Sequence, residues 1–217
     1  MHIPDGFLTP SVIATTYIFS GTTLALIWKK VRKQFYQQSI PKVAILAAFI
    51  FITQMINIPI SGGTSGHLLG GFLAALLVGP YAAIFILSLI LIIQMLIFQD
   101  GGLTALAANI LNIGIAGISG SYLIYTIILR SFNTYFNKKS QKLLVIFLCA
   151  WLSVEIGAVF CGIELSLSDL ADWKITVSLM AGIHALIGIL EAIMTILIFQ
   201  AIYQIRPDLI YSQISNK

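Results

Sequence analysis

Apolar residues run along this chain in long blocks broken by short polar stretches. The blocks fall at roughly 10–28, 41–59, 67–79, 80–98, 103–129, 142–163 and 176–204. A helix of ~20 apolar residues crosses a bilayer, so the pattern predicts seven transmembrane helices. The third block is short and meets the fourth at Gly79-Pro80. Pro80 suits the first turn of a helix better than its middle, because proline lacks the N–H that an interior position must donate. The stretch 67–98 is therefore divided into two helices.

Composition supports the same class. The chain is 59% hydrophobic and 9% charged, where soluble domains carry roughly 25% charged residues. Its mean hydropathy is +0.98. An all-α integral membrane protein follows, with residues 1–217 forming one transmembrane domain and 1–9 preceding the first span. The net charge of +4 is no nucleic-acid signal, since the basic residues sit at the ends of spans. Cys149 and Cys161 lie in one apolar segment and read as small packing residues.

The basic residues also orient the chain. With seven spans, Lys29, Lys30, Arg32, Lys33, Lys42, Arg130, Lys138, Lys139, Lys142, Arg206 and Lys217 share one side, and Lys174 alone takes the other. Positive residues stay on the cytoplasmic side, so the N-terminus is expected outside and the C-terminus inside. Merging the third and fourth spans would put the two large basic clusters on opposite faces. The outer side then holds Asp5, Asp100, Glu164, Asp169 and Asp172, with the polar loop Ile60-Ser61-Gly62-Gly63-Thr64-Ser65-Gly66 that ends at His67.

Chemistry concentrates at the first two residues. No leader is expected, because Met1 to Pro10 has no Lys or Arg and carries Pro4, Asp5 and Gly6. The Met1 amine, the His2 amide nitrogen and a His2 ring nitrogen then close two fused chelate rings around one divalent ion. His67, on the same face, adds a fourth nitrogen. Four nitrogens that include a deprotonated amide favour a planar arrangement, which suits Ni(II) or Cu(II) and accepts Co(II). Zn(II) prefers a tetrahedron and Mg(II) prefers oxygen. A disordered tail and an interfacial histidine are the ordinary readings of such residues. They weaken because two of the three histidines map to one face, and because His67 is flanked by Gly62, Gly63, Gly66, Gly70 and Gly71.

The opening Met1-His2-Ile3-Pro4-Asp5-Gly6 and the stretch from Gly62 through His67 to Gly71 resemble the CbiM/NikM family, as do Asp100-Gly101-Gly102-Leu103-Thr104-Ala105-Leu106 and Asn109. These are the metal-binding membrane (S) components of energy-coupling-factor cobalt and nickel transporters. The resemblance spans residue 1 to about 195. It implies a six-helix core with an added N-terminal helix, and metal held by Met1, His2 and His67. It further implies a membrane coupling (T) subunit, a pair of cytoplasmic ATP-binding subunits and a small additional membrane subunit, in the cytoplasmic membrane of a prokaryote. Ni(II) or Co(II) would be cargo; no cofactor is expected.

Other polar residues within the spans have two readings each. Asp5 and Asn109 are candidates to support the metal ligands; a turn residue and ordinary interhelical hydrogen bonding are their plainer roles. Asn112, Gln54, Asn57 and Gln94 are open to the same pair of readings. Glu155, His184 and Glu191 are ionisable and lie inside spans. They are read as a structural network in which Glu155 and His184 stand at similar depth and can pair.

Other functions fit less well. The chain has no Walker-type phosphate loop, so ATP hydrolysis must come from partners. An intramembrane metal-dependent enzyme lacks support, since His-Glu-x-x-His is absent. A retinal protein needs a lysine that 176–204 does not contain. A vitamin-binding S component would share the fold but has no use for the two histidines. Nickel and cobalt both suit a nitrogen site, and affinity order alone favours nickel.

Overall fold

The computed structural model describes residues 1–36, 40–56, 58–60, 64–132 and 139–211, without the side chains of 58–60, 64, 65, 132 and 139. The described helices are α1 (Pro10–Tyr36), α2 (Ile40–Gln54), α3 (Gly71–Val78), α4 (Pro80–Phe98), α5 (Leu106–Asn109), α6 (Gly117–Phe132), α7 (Lys139–Leu167) and α8 (Trp173–Ile205). A π-helical stretch, Ile110–Ala116, joins α5 to α6, and Pro207–Leu209 forms a 3-10 turn. Strands β1 (Ile58–Ile60) and β2 (Thr64–Gly66) make a short antiparallel hairpin between α2 and α3. Asn57, Ser61, Gly62, Gly63, Lys138 and Lys217, which figured in the sequence reading, lie outside the described residues.

Among the described residues five helices are long and apolar enough to cross a membrane: Pro10–Tyr36, Pro80–Phe98, Leu106–Ser131, Ser140–Leu167 and Trp173–Ile205. Their outer surfaces carry exposed Leu26, Leu96, Leu123, Leu186 and Ile205. Such a surface is tolerated where lipid replaces water. The centre is α3, in which every residue from Gly71 to Val78 is buried. Pro80 opens α4 as its first helical residue, as expected.

The third apolar block departs from expectation. It was read as a span over 67–79, yet only Gly71–Val78 is helical. Eight residues reach about 12 Å, less than half of a ~30 Å hydrocarbon core. Residues 67–70 are not helical because their main chain is bonded elsewhere. The N–H groups of Leu69 and Gly70 donate to Glu191 Oε2 and Oε1 of α8, at 2.9 and 2.8 Å. The Leu69 carbonyl accepts from Gln54 Nε2 of α2 at 2.7 Å. Gly70 then takes φ +69, a left-handed value that glycine adopts without strain. Non-helical backbone survives inside a bundle only when protein groups satisfy it in this way.

Polar caps gather at two ends of the bundle. At one, Thr9 N–H donates to Ser168 Oγ at 3.1 Å and the Tyr17 hydroxyl to the Leu103 carbonyl at 2.5 Å. At the other, Gln34 accepts from Ala82 N–H at 2.7 Å and donates to the Tyr211 hydroxyl at 3.0 Å. There too, Tyr211 N–H and Lys42 Nζ satisfy the carbonyls of Leu76 and Leu77 at the end of α3. These contacts occupy helix-terminal groups that would otherwise be buried without partners.

Replacing Glu191 by Leu leaves two buried N–H groups without acceptors, at about 1–3 kcal/mol each. Glu191→Gln keeps one oxygen and loses less. Thermal unfolding in detergent should therefore rank the native protein above Glu191→Gln, and that above Glu191→Leu. Equal midpoints for the two variants would remove Glu191 as the anchor.

Candidate metal centre

The first nine residues are not a tail. Met1 and Ile3 have 0% exposure and His2 has 4%. The segment has no secondary structure of its own, so its polar groups are met by side chains and loops of the bundle. Asn109, on α5, reads the Ile3 peptide at both ends: Ile3 N–H donates to Oδ1 at 2.8 Å, and Nδ2 donates to the Ile3 carbonyl at 3.1 Å. That carbonyl also accepts from Gly102 N–H at 2.9 Å. A methyl group at Gly102 would overlap the Asp5 main-chain nitrogen and carboxylate, so the close approach requires glycine here.

His2 and His67 lie face to face, with ring centroids 4.5 Å apart and planes 22° from parallel. His2 Nε2 is 3.1 Å from Gln94 Oε1 of α4. Gln94 Nε2 donates to Gln54 Oε1 at 3.0 Å. His2 Nδ1 stands 3.3 Å from Asp100 Oδ1. His67 Nδ1 is 2.9 Å from the Leu68 carbonyl. A carbonyl only accepts, so Nδ1 carries the hydrogen. The other ring nitrogen, Nε2, keeps its lone pair, buried and without a hydrogen-bond partner. Burial pushes the Met1 amine down to about 5 and His2 down to about 3. The nearby terminal ammonium also lowers His2, while the Gln94 bond opposes the fall. Amine and imidazole are thus both neutral at pH 7, the form that binds metal.

A family model described as the CbiM cobalt uptake substrate-specific transmembrane region matches residues 2–209. The chain belongs to the CbiM family. It is 38% identical, over 97% of its length and 68% of the relative's, to a putative fused nickel transport protein NikMN of Archaeoglobus fulgidus. It is 30% identical, over 92% of its length and 83% of the relative's, to the cobalt transport protein CbiM of Clostridium tetani. A crystal structure of a truncated transition metal transporter superposes with a TM-score of 0.84 at 32% identity, covering 94% of this chain and 99% of that one. The CbiM-family chain is accordingly a multi-pass membrane component of metal transport rather than an enzyme.

The other residues singled out in this CbiM-family sequence are not all at the histidines. Asp5 was expected to support a metal-ligand nitrogen. Instead its carboxylate accepts from Leu103 N–H at 3.1 Å, Thr104 N–H at 2.7 Å and the Thr104 hydroxyl at 2.5 Å. The Thr104 hydroxyl and these amide groups hold the Asp5 carboxyl below its ordinary range. Asp5 therefore fastens the inserted segment to the 103–104 loop, and Gly6 at φ +86 turns the chain toward α1. Asn112 donates to Glu164 Oε2 at 2.7 Å, away from the histidines.

The expected network of Glu155, His184 and Glu191 is divided. Glu191 holds the main chain two residues beyond His67. His184 Nδ1 is 2.8 Å from the Met180 carbonyl of its own helix. Glu155 Oε1 is buried without a hydrogen-bond partner, so the pairing expected with His184 is not made by that atom.

Sequence reasoning missed the position of Asp100 at the His2 ring, and left Gln54 and Gln94 between support of the ligands and ordinary interhelical bonding. Two buried glutamines in apolar helices were the available signal, since buried amides require partners. Among the described residues no three His, Cys, Asp or Glu side chains cluster as a metal site.

Seating of the first residues should depend on pH. Exposed, the Met1 amine titrates near 8.0; seated, near 5. A base with a lowered pKa favours the seated state fully above pH 8, and that preference is lost as pH falls from 8 toward 5. Exchange of the Ile3 and Gly102 amide protons, corrected for intrinsic rates, should speed up over that window. Unchanged protection between pH 8 and 5 would contradict a buried amine.

Proposed function

We infer that this chain is the ion-capturing membrane subunit of a Ni(II) or Co(II) importer. The ion is held by the Met1 amine, the His2 amide nitrogen, His2 Nδ1 and His67 Nε2. The observation that carries this reading is the insertion of residues 1–3 into the bundle, which stacks His2 on the buried His67 ring. His67 Nε2 has a lone pair and no protein partner there, and a soft-to-borderline cation is the chemistry that such a nitrogen accepts. The names of the nickel and cobalt transport relatives agree with it. Nitrogen donors suit both ions.

The chain forms one transmembrane domain over 1–217, with 1–9 as its metal-binding segment. It passes the bilayer seven times, the short α3 with the non-helical 67–70 counting as one pass. The arrangement is a six-helix core plus the N-terminal helix α1. The end bearing Met1 and Asp100 faces outward. In support, Lys29, Lys30, Arg32, Lys33 and Lys42 gather with Gln34 and Tyr211 at the opposite end, where positive residues favour the cytoplasm. Uptake at a prokaryotic cytoplasmic membrane draws its energy from partners, a membrane coupling subunit and cytoplasmic ATP-binding subunits, with a small additional membrane subunit.

The chemistry follows from the donors. Binding removes the His2 amide proton, so the charge of the ion is partly neutralised in the protein. Asp100, half-buried beside the His2 ring, attracts the ion electrostatically. Release requires the inserted segment to withdraw.

One added Ala before Met1 moves the amine out of chelating position. Metal content of the purified protein should fall to background, as it should for His2→Ala and His67→Ala. Normal nickel content in the extended protein would refute the site.

A further inference from the structure

We propose that Gln54 and Gln94 form a directional relay that fixes the His2 ring proton on Nε2 and so keeps Nδ1 open to the ion. The proposal rests on the reading of His2 as a ligand, but it makes a separate claim about the ring itself.

The direction is set at the far end. The Leu69 carbonyl can only accept, so Gln54 must present its NH2 group to it, at 2.7 Å. Gln54 Oε1 then faces Gln94, which must in turn present its NH2 group, at 3.0 Å. Gln94 Oε1 is left facing His2 Nε2 at 3.1 Å, and an amide oxygen there demands N–H from the ring. With Nε2 protonated, a neutral imidazole has its lone pair on Nδ1.

The opposite tautomer would point Nδ1–H toward Asp100 Oδ1 at 3.3 Å, a longer contact than any in the relay. It would also set two acceptors against each other. If the glutamines stay, the clash is at 3.1 Å between His2 Nε2 and Gln94. If both flip, the clash moves to 2.7 Å between Gln54 and the Leu69 carbonyl. Gln54, Gln94 and His2 are all nearly fully buried, so water does not relieve either clash.

The anchor is itself held. Glu191 accepts from the N–H groups of Leu69 and Gly70, which share their peptide units with the Leu68 carbonyl that orients His67 and the Leu69 carbonyl that ends the relay. The two histidines are therefore set from one short stretch of backbone, with opposite tautomers: hydrogen on Nε2 of His2 and on Nδ1 of His67. Which atom of His2 is open matters, because only Nδ1 closes a six-membered chelate ring with the ring-bearing residue's own amide nitrogen. Gln54 and Gln94 are positioning residues; neither needs to touch the ion.

The test reads the ring without metal. The full-length protein, with 15N-histidine, is examined by NMR in metal-free detergent or lipid, where protonated and bare imidazole nitrogens have distinct shifts. The native His2 should show one tautomer, protonated at Nε2. Gln94→Leu removes the acceptor and should move the proton to Nδ1 or mix the tautomers. Nickel affinity should then drop about 10–100-fold, as for other supports of metal-binding histidines. Gln54→Leu lets Gln94 turn and should also mix them. Protonated Gln54→Glu donates to the Leu69 carbonyl and accepts from Gln94, so it should keep the native tautomer. A native His2 protonated at Nδ1 overturns the relay and needs no variant to fold. So does a Gln94→Leu protein that keeps the native tautomer. Failure of the metal site itself shows differently, as His2→Ala binding nickel normally while the native tautomer stands.

Discussion

Side-chain hydrogen bonds to main chain hold two non-helical segments, 1–3 and 67–70, inside a helical bundle. Asn109 holds the first at Ile3, and Glu191 with Gln54 holds the second at Leu69 and Gly70. In the low-polarity interior an unpaired peptide group is costly. Remove these bonds and each segment is better solvated outside. The two histidines exist as a pair only because both segments stay inside. The short α3, the hairpin before it and the close approach at Gly102 are all consequences of making that room.

Insertion also changes the chemistry of the groups inserted. A terminal amine and a histidine exposed to water would share their nitrogens with protons and solvent. Buried, they are neutral at pH 7 and ready to bind, and the same burial limits access to them. On the proposed reading, capture and slow release have one origin. The arrangement uses only two side chains as candidate ligands, with the rest drawn from the start of the main chain, so no cluster of acidic or sulfur residues is needed.

Much of this was legible in the chain. Apolar blocks marked the five long helices, although α1 runs to Tyr36, well past the end of its block at 28, and Pro80 correctly divided α3 from α4. Met1, His2 and His67 were named from residue type and from the side of the membrane that charge assigns them. Asn109 was named as a partner of the site, and the structure puts it on the Ile3 peptide. Asp5, for which the sequence left a ligand-supporting role and a turn role open, bonds the 103–104 loop. Hydropathy counted 67–79 as helix because an apolar extended strand and an apolar helix look alike in sequence.

Sequence by itself determined the membrane class and named residues whose side chains can bind a transition metal, because these depend on side-chain type and on the apolar blocks along the chain. Tertiary structure alone decided that residue 1 lies in the centre of the bundle, that His2 stacks on His67, and that Gln54 and Gln94 connect α2 and α4 to the His2 ring. Those facts depend on which hydrogen-bond partner lies within 3 Å or so across three or more helices. Local pattern carries no record of that distance, and only packing sets it.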